Sequence, residues 1–509
     1  MESGSGERLP RPGTSAISKP GDGRGGWRAA LFIVVVGLFE RVGFVGVSAN
    51  LIMYLTGPLG MSTAAAAAGV NAWSGTVQVL PLVGALVADW RLGRYRALLA
   101  AGGLYLLSLG MLTASTLLPT ASSPPPARLT FFYVALYLLA LGQGFYGPCG
   151  EAFGADQFAA SDGDDDDSRA PAAFRSSYFN WFHFSISWGY FTASAVLSYV
   201  QDNAGWTVGF AVCWAAMLLY LAVFLLGTRA YRGKQPADDG PFTETVRAWA
   251  TRVFAPQPED GDGLIAKLLP IWLTSLVFAT VTSQPSTLFT KQASTLDRRL
   301  GPAATGLVVP PAALQCFINV TYIIMLPLYD RVVVPLARRL TGRARGVTML
   351  QRIGASMVAS CVAMIVAALV EARRLRVASD AGLVDRPDVA VPMSLWWMIP
   401  QYVLIGLAGV LGQVGLEEFF YDQVPDTLRS VGLALCLSIF GVGSYASSML
   451  VSAIDWATRS NGADSWFSDN LNRGHLDYFY WLLAGLAALE VAAYLHFAAR
   501  YVYRDKGEM

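Results

Sequence analysis

The 509 residues carry 37 Lys and Arg against 36 Asp and Glu, and 54% of them are hydrophobic while only 14% are charged. A soluble protein of this length would need far more polar surface to cover its core, and a net charge of +1 excludes a nucleic-acid binder or a strongly acidic partner. The five cysteines (Cys149, Cys213, Cys316, Cys361, Cys436) fall inside apolar runs without metal-ligand spacing, so they read as small buried hydrophobes. With no nucleophile–base arrangement either, the sequence predicts no enzyme, no cofactor and no metal.

Residues 1–26 are rich in Gly, Ser, Pro and Arg and read as a disordered N-terminus without a cleaved signal peptide. Apolar runs of about 20 residues, the length that crosses a bilayer core of about 30 Å, follow along the chain. They lie near 28–55, 64–88, 97–118, 129–150, 176–200, 206–228, 267–289, 305–328, 347–370, 394–416, 428–453 and 476–499. Twelve runs predict an all-α, multi-pass integral membrane protein with both termini on one side of the lipid bilayer. The longest polar gap divides them six and six. The expected organisation is a cytoplasmic N-terminus (1–26), a six-helix half (27–228), a cytoplasmic linker (229–262), a second six-helix half (263–499) and a cytoplasmic tail (500–509).

Basic residues set the orientation. Segments on the side of the termini hold Arg91, Arg94, Arg96, Arg338, Arg339, Lys506 and others. The opposite loops hold fewer, including Arg298, Arg299, Arg373, Arg374 and Arg376. The asymmetry places both termini in the cytoplasm, and the acidic run Asp162 and Asp164–Asp167 counts little against it. Two six-helix halves joined by a cytoplasmic linker form the major facilitator arrangement, whose small-molecule solute binds between the halves near the midplane. A cytoplasmic loop motif agrees with it. Gly84, Asp89, Gly93 and Arg94 combine glycines that let the backbone turn closely with an acid able to pair with arginine or a helix end.

Several strings are similar to those of the plant nitrate/peptide transporter family, a branch of the proton-dependent oligopeptide transporters. They are Glu40-Arg41 followed by 50–56, Phe153-Gly154-Ala155-Asp156-Gln157-Phe158, 269–272, 284–287, 350–354, and the run from Glu418 through Tyr421 and Asp422 to Asp426. The resemblance runs in family order from about residue 30 to the C-terminus. It implies a major facilitator fold and proton-linked uptake of nitrate, small peptides or other small metabolites.

Glu40 and Arg41 lie inside the first span, where an ionised side chain costs about 2.5–3.5 kcal/mol on insertion scales. Such a pair marks a solute pathway or locks the bundle. Against the family pattern, Gly37 stands where Glu-x-x-Glu-Arg has its first acid, and Gly147 where the fourth span carries a lysine. Gly409 replaces a glutamate of the tenth span, Phe44-Val45 replaces a Tyr-Tyr pair, and Thr282 takes the place of a histidine in the seventh.

Loss of an acid at 37 and a base at 147 leaves the formal charge unchanged, whereas loss of the acid at 409 makes the cavity more positive. A peptide's amino terminus then lacks its acid. Nitrate or another small anionic or neutral solute is favoured, with Arg41 as its partner. Glu40 and Glu151, one turn beyond Gly147, are the candidate proton sites, although Glu151 also suits a helix-end cap. Tyr146, Asn180, His183 and Gln284 are further candidate cavity residues, although interhelical hydrogen bonding is the more frequent role for any one of them. The alternatives are a proton-independent facilitator or exporter, and a transport-inactive receptor or scaffold. The sequence does not choose between plasma and vacuolar membrane and does not set the oligomeric state.

Overall fold

The computed structural model describes residues 25–88, 92–117, 125–158, 169–232, 264–300, 307–341, 347–423, 429–459 and 464–501. The acidic run at 162–167, Asp89, most of the linker and the outermost termini lie outside these residues.

The N-terminal group comprises α1 (Gly26–Ser48), α2 (Leu51–Thr56), α3 (Thr63–Val87), α4 (Gly93–Leu117), α5 (Pro125–Ala155), α6 (Arg169–Phe191), α7 (Ser198–Ala204) and α8 (Trp206–Leu226). The C-terminal group begins with α9 (Leu264–Thr274), α10 (Leu276–Thr282), α11 (Leu288–Ser294), α12 (Cys316–Leu328) and α13 (Val334–Thr341). It ends with α14 (Met349–Asp380), α15 (Ile399–Asp422), α16 (Arg429–Arg459) and α17 (Leu476–Arg500). Short strand pairs occur only between spans, Leu296–Asp297 parallel to Val391–Ser394 and Arg299–Leu300 antiparallel to Leu307–Val308.

Local chemistry sets several boundaries. Ser62 caps α3 by accepting from the Ala65 N–H at 3.3 Å. Thr348 and Gln351 form a reciprocal capping box at the start of α14. Gly84 of α3 lies so close to the Gly144 backbone of α5 that any side chain there would overlap it. Small residues let membrane helices meet in this way, where lipid provides no hydrophobic drive for association.

Ten helical runs among the described residues are long and apolar enough to cross a membrane, and they match ten of the twelve expected spans. The other two are helical but interrupted. The fifth consists of α6, a π-helical turn (Thr192–Leu197) and α7, and it carries Asn180, His183, Ser185 and Ser187. The seventh is broken between α9 and α10, and again by a 3-10 turn (Gln284–Ser286) before α11.

The ninth span is longer than the apolar run suggests. Arg373, Arg374 and Arg376 continue α14 instead of lying in a loop. Arg374 is 0% exposed and grips Glu371 through Nε at 2.8 Å and Nη2 at 2.7 Å. It also donates to Asn472 Oδ1 and to the Leu471 carbonyl, at 2.7 Å each. Glu371 on the same helix and two acceptors on a neighbouring segment hold the buried guanidinium, so the helix runs on past the apolar stretch.

One end of the bundle carries the first and last described residues, Gly25 and Tyr501. There Gly25 N–H donates to the Ala230 carbonyl at 2.8 Å, and Tyr501 donates to Gln423 Oε1 at 3.2 Å. The two groups of helices are tied together toward the other end. Lys291 Nζ reaches Thr56 Oγ1 at 3.1 Å, Arg298 pairs with Asp202 at 2.7 Å, and Asp469 accepts the Thr63 N–H at 2.8 Å. Nearer the middle, Asn71 donates to Ser447 at 2.9 Å and Thr76 meets Tyr445 at 2.8 Å, where Gly75 of α3 crosses close to Gly441 of α16. Among the described residues, the hydrogen bonds between the groups all lie in this half of the bundle. Among the described residues no hydrogen bond joins the two groups at the terminal end.

Candidate functional site

In α1, Glu40 and Arg41 point into the protein but have different surroundings. Glu40 is sealed from solvent, with Oε1 accepting from the Tyr105 hydroxyl at 3.0 Å and Oε2 lying 3.1 Å from Arg41 Nη2. The same Tyr105 hydroxyl is 2.6 Å from Gln143 Oε1, so α1, α4 and α5 meet at one carboxylate. The Arg41 side chain is 13% exposed. Its Nη1 approaches the Tyr190 hydroxyl at 3.4 Å, its guanidinium sits 5.3 Å from that ring, and its Nε has no hydrogen-bond partner. Glu40 thus compensates the arginine from one side, and Nη1 is directed to Tyr190 of α6.

Tyr190 is within electrostatic range of Tyr322 on α12, in the other group of helices. The Tyr322 hydroxyl contacts Gln413 Oε1 at 3.4 Å, and Gln413 Nε2 contacts Glu417 Oε1 at 3.3 Å. Arg41, Tyr190, Tyr322 and Gln413 therefore form a polar layer between the two groups. Tyr322 and Glu417 were not expected as site residues. Tyr322 is one aromatic in an apolar run, and Glu417 directly precedes the signature that begins at Glu418.

The glycines at the altered positions have distinct causes. A Cβ on Gly37 would meet Phe182 Cε2 at 2.9 Å and the Tyr146 hydroxyl at 3.4 Å, so Phe182 occupies the space an acid would need. The Tyr146 hydroxyl is buried and without a partner. At Gly409 the Tyr322 hydroxyl fills the place of a side chain. Gly147 differs, since its Cβ would rest in ordinary contact with Pro81 at 3.5 Å.

The remaining candidates divide into groups. Glu151 Oε1 pairs with His183 Nε2 at 3.2 Å, toward the terminal end, and Asn180 is exposed one turn of α6 away from His183. Gln284 is buried and donates to Ser447 at 3.1 Å and to the Thr280 carbonyl at 2.9 Å, within the contact between the groups. Thr282 bonds only along its own helix, to the Ala279 carbonyl at 2.9 Å.

The signature residues secure the terminal end. Asp156 pairs with Arg94 at 2.5 Å, and Gln157 both accepts from the Arg232 N–H at 2.9 Å and donates to the Arg232 carbonyl at 3.3 Å. Phe153 and Phe158 are buried, and Gly154 leaves room for the Tyr178 ring. Gly93, at φ 69°, starts α4 and so aims Arg94. Glu418 lies 3.7 Å from Arg352, whose guanidinium covers the Tyr329 ring at 4.4 Å, while Tyr421 and Asp422 close α15. Among the described residues no group of three or more His, Cys, Asp or Glu is placed to hold a metal ion.

The profile of the POT family matches residues 95–256 and 261–467. The chain belongs to the POT family. Protein NRT1/PTR FAMILY 5.10 of Arabidopsis thaliana is 47% identical, over 94% of this chain and 93% of its own. The crystal structure of the POT family transporter PepTSo superposes with a TM-score of 0.72 at 19% identity, covering 94% of this chain and 99% of that one. An auto-inhibited POT family peptide transporter gives a TM-score of 0.74 at 20% identity, covering 95% and 99%. The likeness to solved POT structures establishes the major facilitator fold, and this POT family member is a membrane transporter and not an enzyme.

Proposed function

We propose that this transporter is a secondary active carrier of a small anionic or neutral solute, held between the two groups of helices with Arg41 as its fixed cation. The observation that supports this reading is the asymmetry of the ion pair. Glu40 is enclosed and bonded by Tyr105, while the Arg41 side chain keeps 13% exposure and directs Nη1 to Tyr190. Donors kept in place in a low-dielectric site bind an anion or carbonyl well. The four side chains of the Arg41–Tyr190–Tyr322–Gln413 layer include no acid for a peptide's amino terminus, and the adjoining Glu417 is held by Gln413 at 3.3 Å. Both termini are assigned to the cytoplasm from the distribution of basic residues. The end without hydrogen bonds between the groups then faces the cytoplasm, and rocking of the two groups exposes the layer to alternate sides.

A pH-controlled uptake screen in oocytes, with nitrate, dipeptides and plant metabolites and with currents recorded, tests the proposal. Uptake of an anion or neutral solute that Arg41→Ala abolishes supports it. Uptake restricted to dipeptides overturns the solute class, and absence of any flux favours a receptor or scaffold. In the same recordings, an inward current that grows at acidic outer pH marks proton symport.

A further inference from the structure

Three titratable side chains meet at the cytoplasmic mouth from both groups of helices. Glu151 of α5 and His183 of α6 form a pair at 3.2 Å, with 39% and 64% of the side chains exposed. Glu417 of α15 lies within electrostatic range of both. Gln413, one turn away on α15, is its hydrogen-bond partner at 3.3 Å. Gln143 belongs to the Glu40 layer, and Glu151 comes eight residues later on α5, about 12 Å nearer the cytoplasm at 1.5 Å per residue.

Among the described residues the groups facing the cluster are few. From α6 the Tyr178 hydroxyl donates to the Glu151 carbonyl at 3.2 Å, from α12 Tyr322 approaches Gln413, and from α16 Cys436 neighbours Glu417. Arg352 of α14 is engaged with Glu418, and Arg41 of α1 with Glu40. Among the described residues neither Glu151 nor Glu417 has an arginine or lysine within ion-pair distance.

We propose that Glu151, His183 and Glu417 form a proton-binding site shared between the two groups of helices, which takes up one proton from the cytoplasm as the cytoplasmic mouth closes. Closure brings α5 and α15 together and removes water from both carboxylates. Two carboxylates in a shared dry site do not both stay ionised beside a neutral imidazole. A proton on the cluster, carried by His183 between the acids, lowers its charge from two negative units to one.

The closed state then binds more protons than the open one. Its share rises as pH falls and is lost as pH rises, by up to about tenfold per pH unit between the two titrations. The inference rests on alternating access as proposed above, but its test needs no solute.

Spin labels at Arg229 and Leu336, one in each group of helices and both toward the cytoplasmic end, report closure by pulsed dipolar spectroscopy. The full chain is studied in lipid nanodiscs with its native cysteines replaced, between about pH 5 and pH 8. The short-distance population of the otherwise unmodified chain rises on acidification. Glu417→Gln raises that population at the alkaline end and flattens the pH response, and Glu151→Gln does the same. A Glu417→Gln chain that keeps the full pH response overturns the proposal, as does a parent chain whose distances ignore pH. If Glu417→Gln gives no monodisperse protein, Glu151→Gln decides by the same criterion. Solute uptake that persists alongside either contrary result leaves the carrier reading intact.

Discussion

Replacing Glu371 by Leu should destabilise the protein out of proportion to the size of the change. Arg374 is enclosed completely, and Glu371 supplies two of its four short hydrogen bonds, at 2.8 and 2.7 Å, together with the one carboxylate within ion-pair distance among the described residues. Asn472 and the Leu471 carbonyl remain after the substitution, but neither neutralises the guanidinium. Removing one partner of a buried pair costs about 3–5 kcal/mol, against about 0–1 kcal/mol for an exposed pair.

Unfolding followed by SDS titration in mixed micelles reads the loss. The double replacement Glu371→Leu with Arg374→Leu removes both charges and should recover most of it, giving a coupling energy of about 2–3 kcal/mol in the mutant cycle. A Glu371→Leu variant within about 1 kcal/mol of the parent would show that water reaches the pair and would refute the reasoning.

Three further outcomes follow from named contacts. Gly37→Ala forces Phe182 to move and should cost about 1–3 kcal/mol by overpacking, whereas Gly147→Ala, in ordinary contact with Pro81, should be near neutral in the same titration. Replacing Lys291 by Met and Arg298 by Ala removes two ties between the groups of helices, and should increase labelling of a cysteine introduced at Gln284 from the outer side. Glu490 of α17 accepts the Phe278 N–H at 2.8 Å beside the break in the seventh span. Glu490→Leu leaves that buried N–H unpaired and should cost about 1–3 kcal/mol, while Glu490→Gln, which still accepts, should cost less.

The spans were legible where about 20 apolar residues run without interruption. The fifth is harder to read because Asn180, His183 and two serines dilute its apolarity, and the seventh because turns at Ser275 and Gln284–Ser286 break the helix. Arg374 reads as a loop residue because its partners, Asn472 and Leu471, lie about a hundred positions away in the sequence.

Glu40 and Arg41 were singled out by the cost of burying charge, and the structure places them together but with unequal exposure. The same argument applied to Glu490, an acid within the last apolar run, would have found it. Tyr322 was not accessible to sequence reasoning. Its relation to Gly409 is a contact between two helices that no local spacing encodes. Asp89, read as an acid able to pair with arginine or a helix end, lies outside the described residues, and Arg94 of the same motif pairs in the structure with Asp156.

Flux of the best-transported solute through Arg41→Ala and Arg41→Lys, normalised to protein at the membrane, tests the site most directly. Arg41→Ala should fall by at least about tenfold, the loss of one charge-assisted hydrogen bond, with Arg41→Lys retaining part of the flux. Full flux through Arg41→Ala would contradict a solute held at that guanidinium.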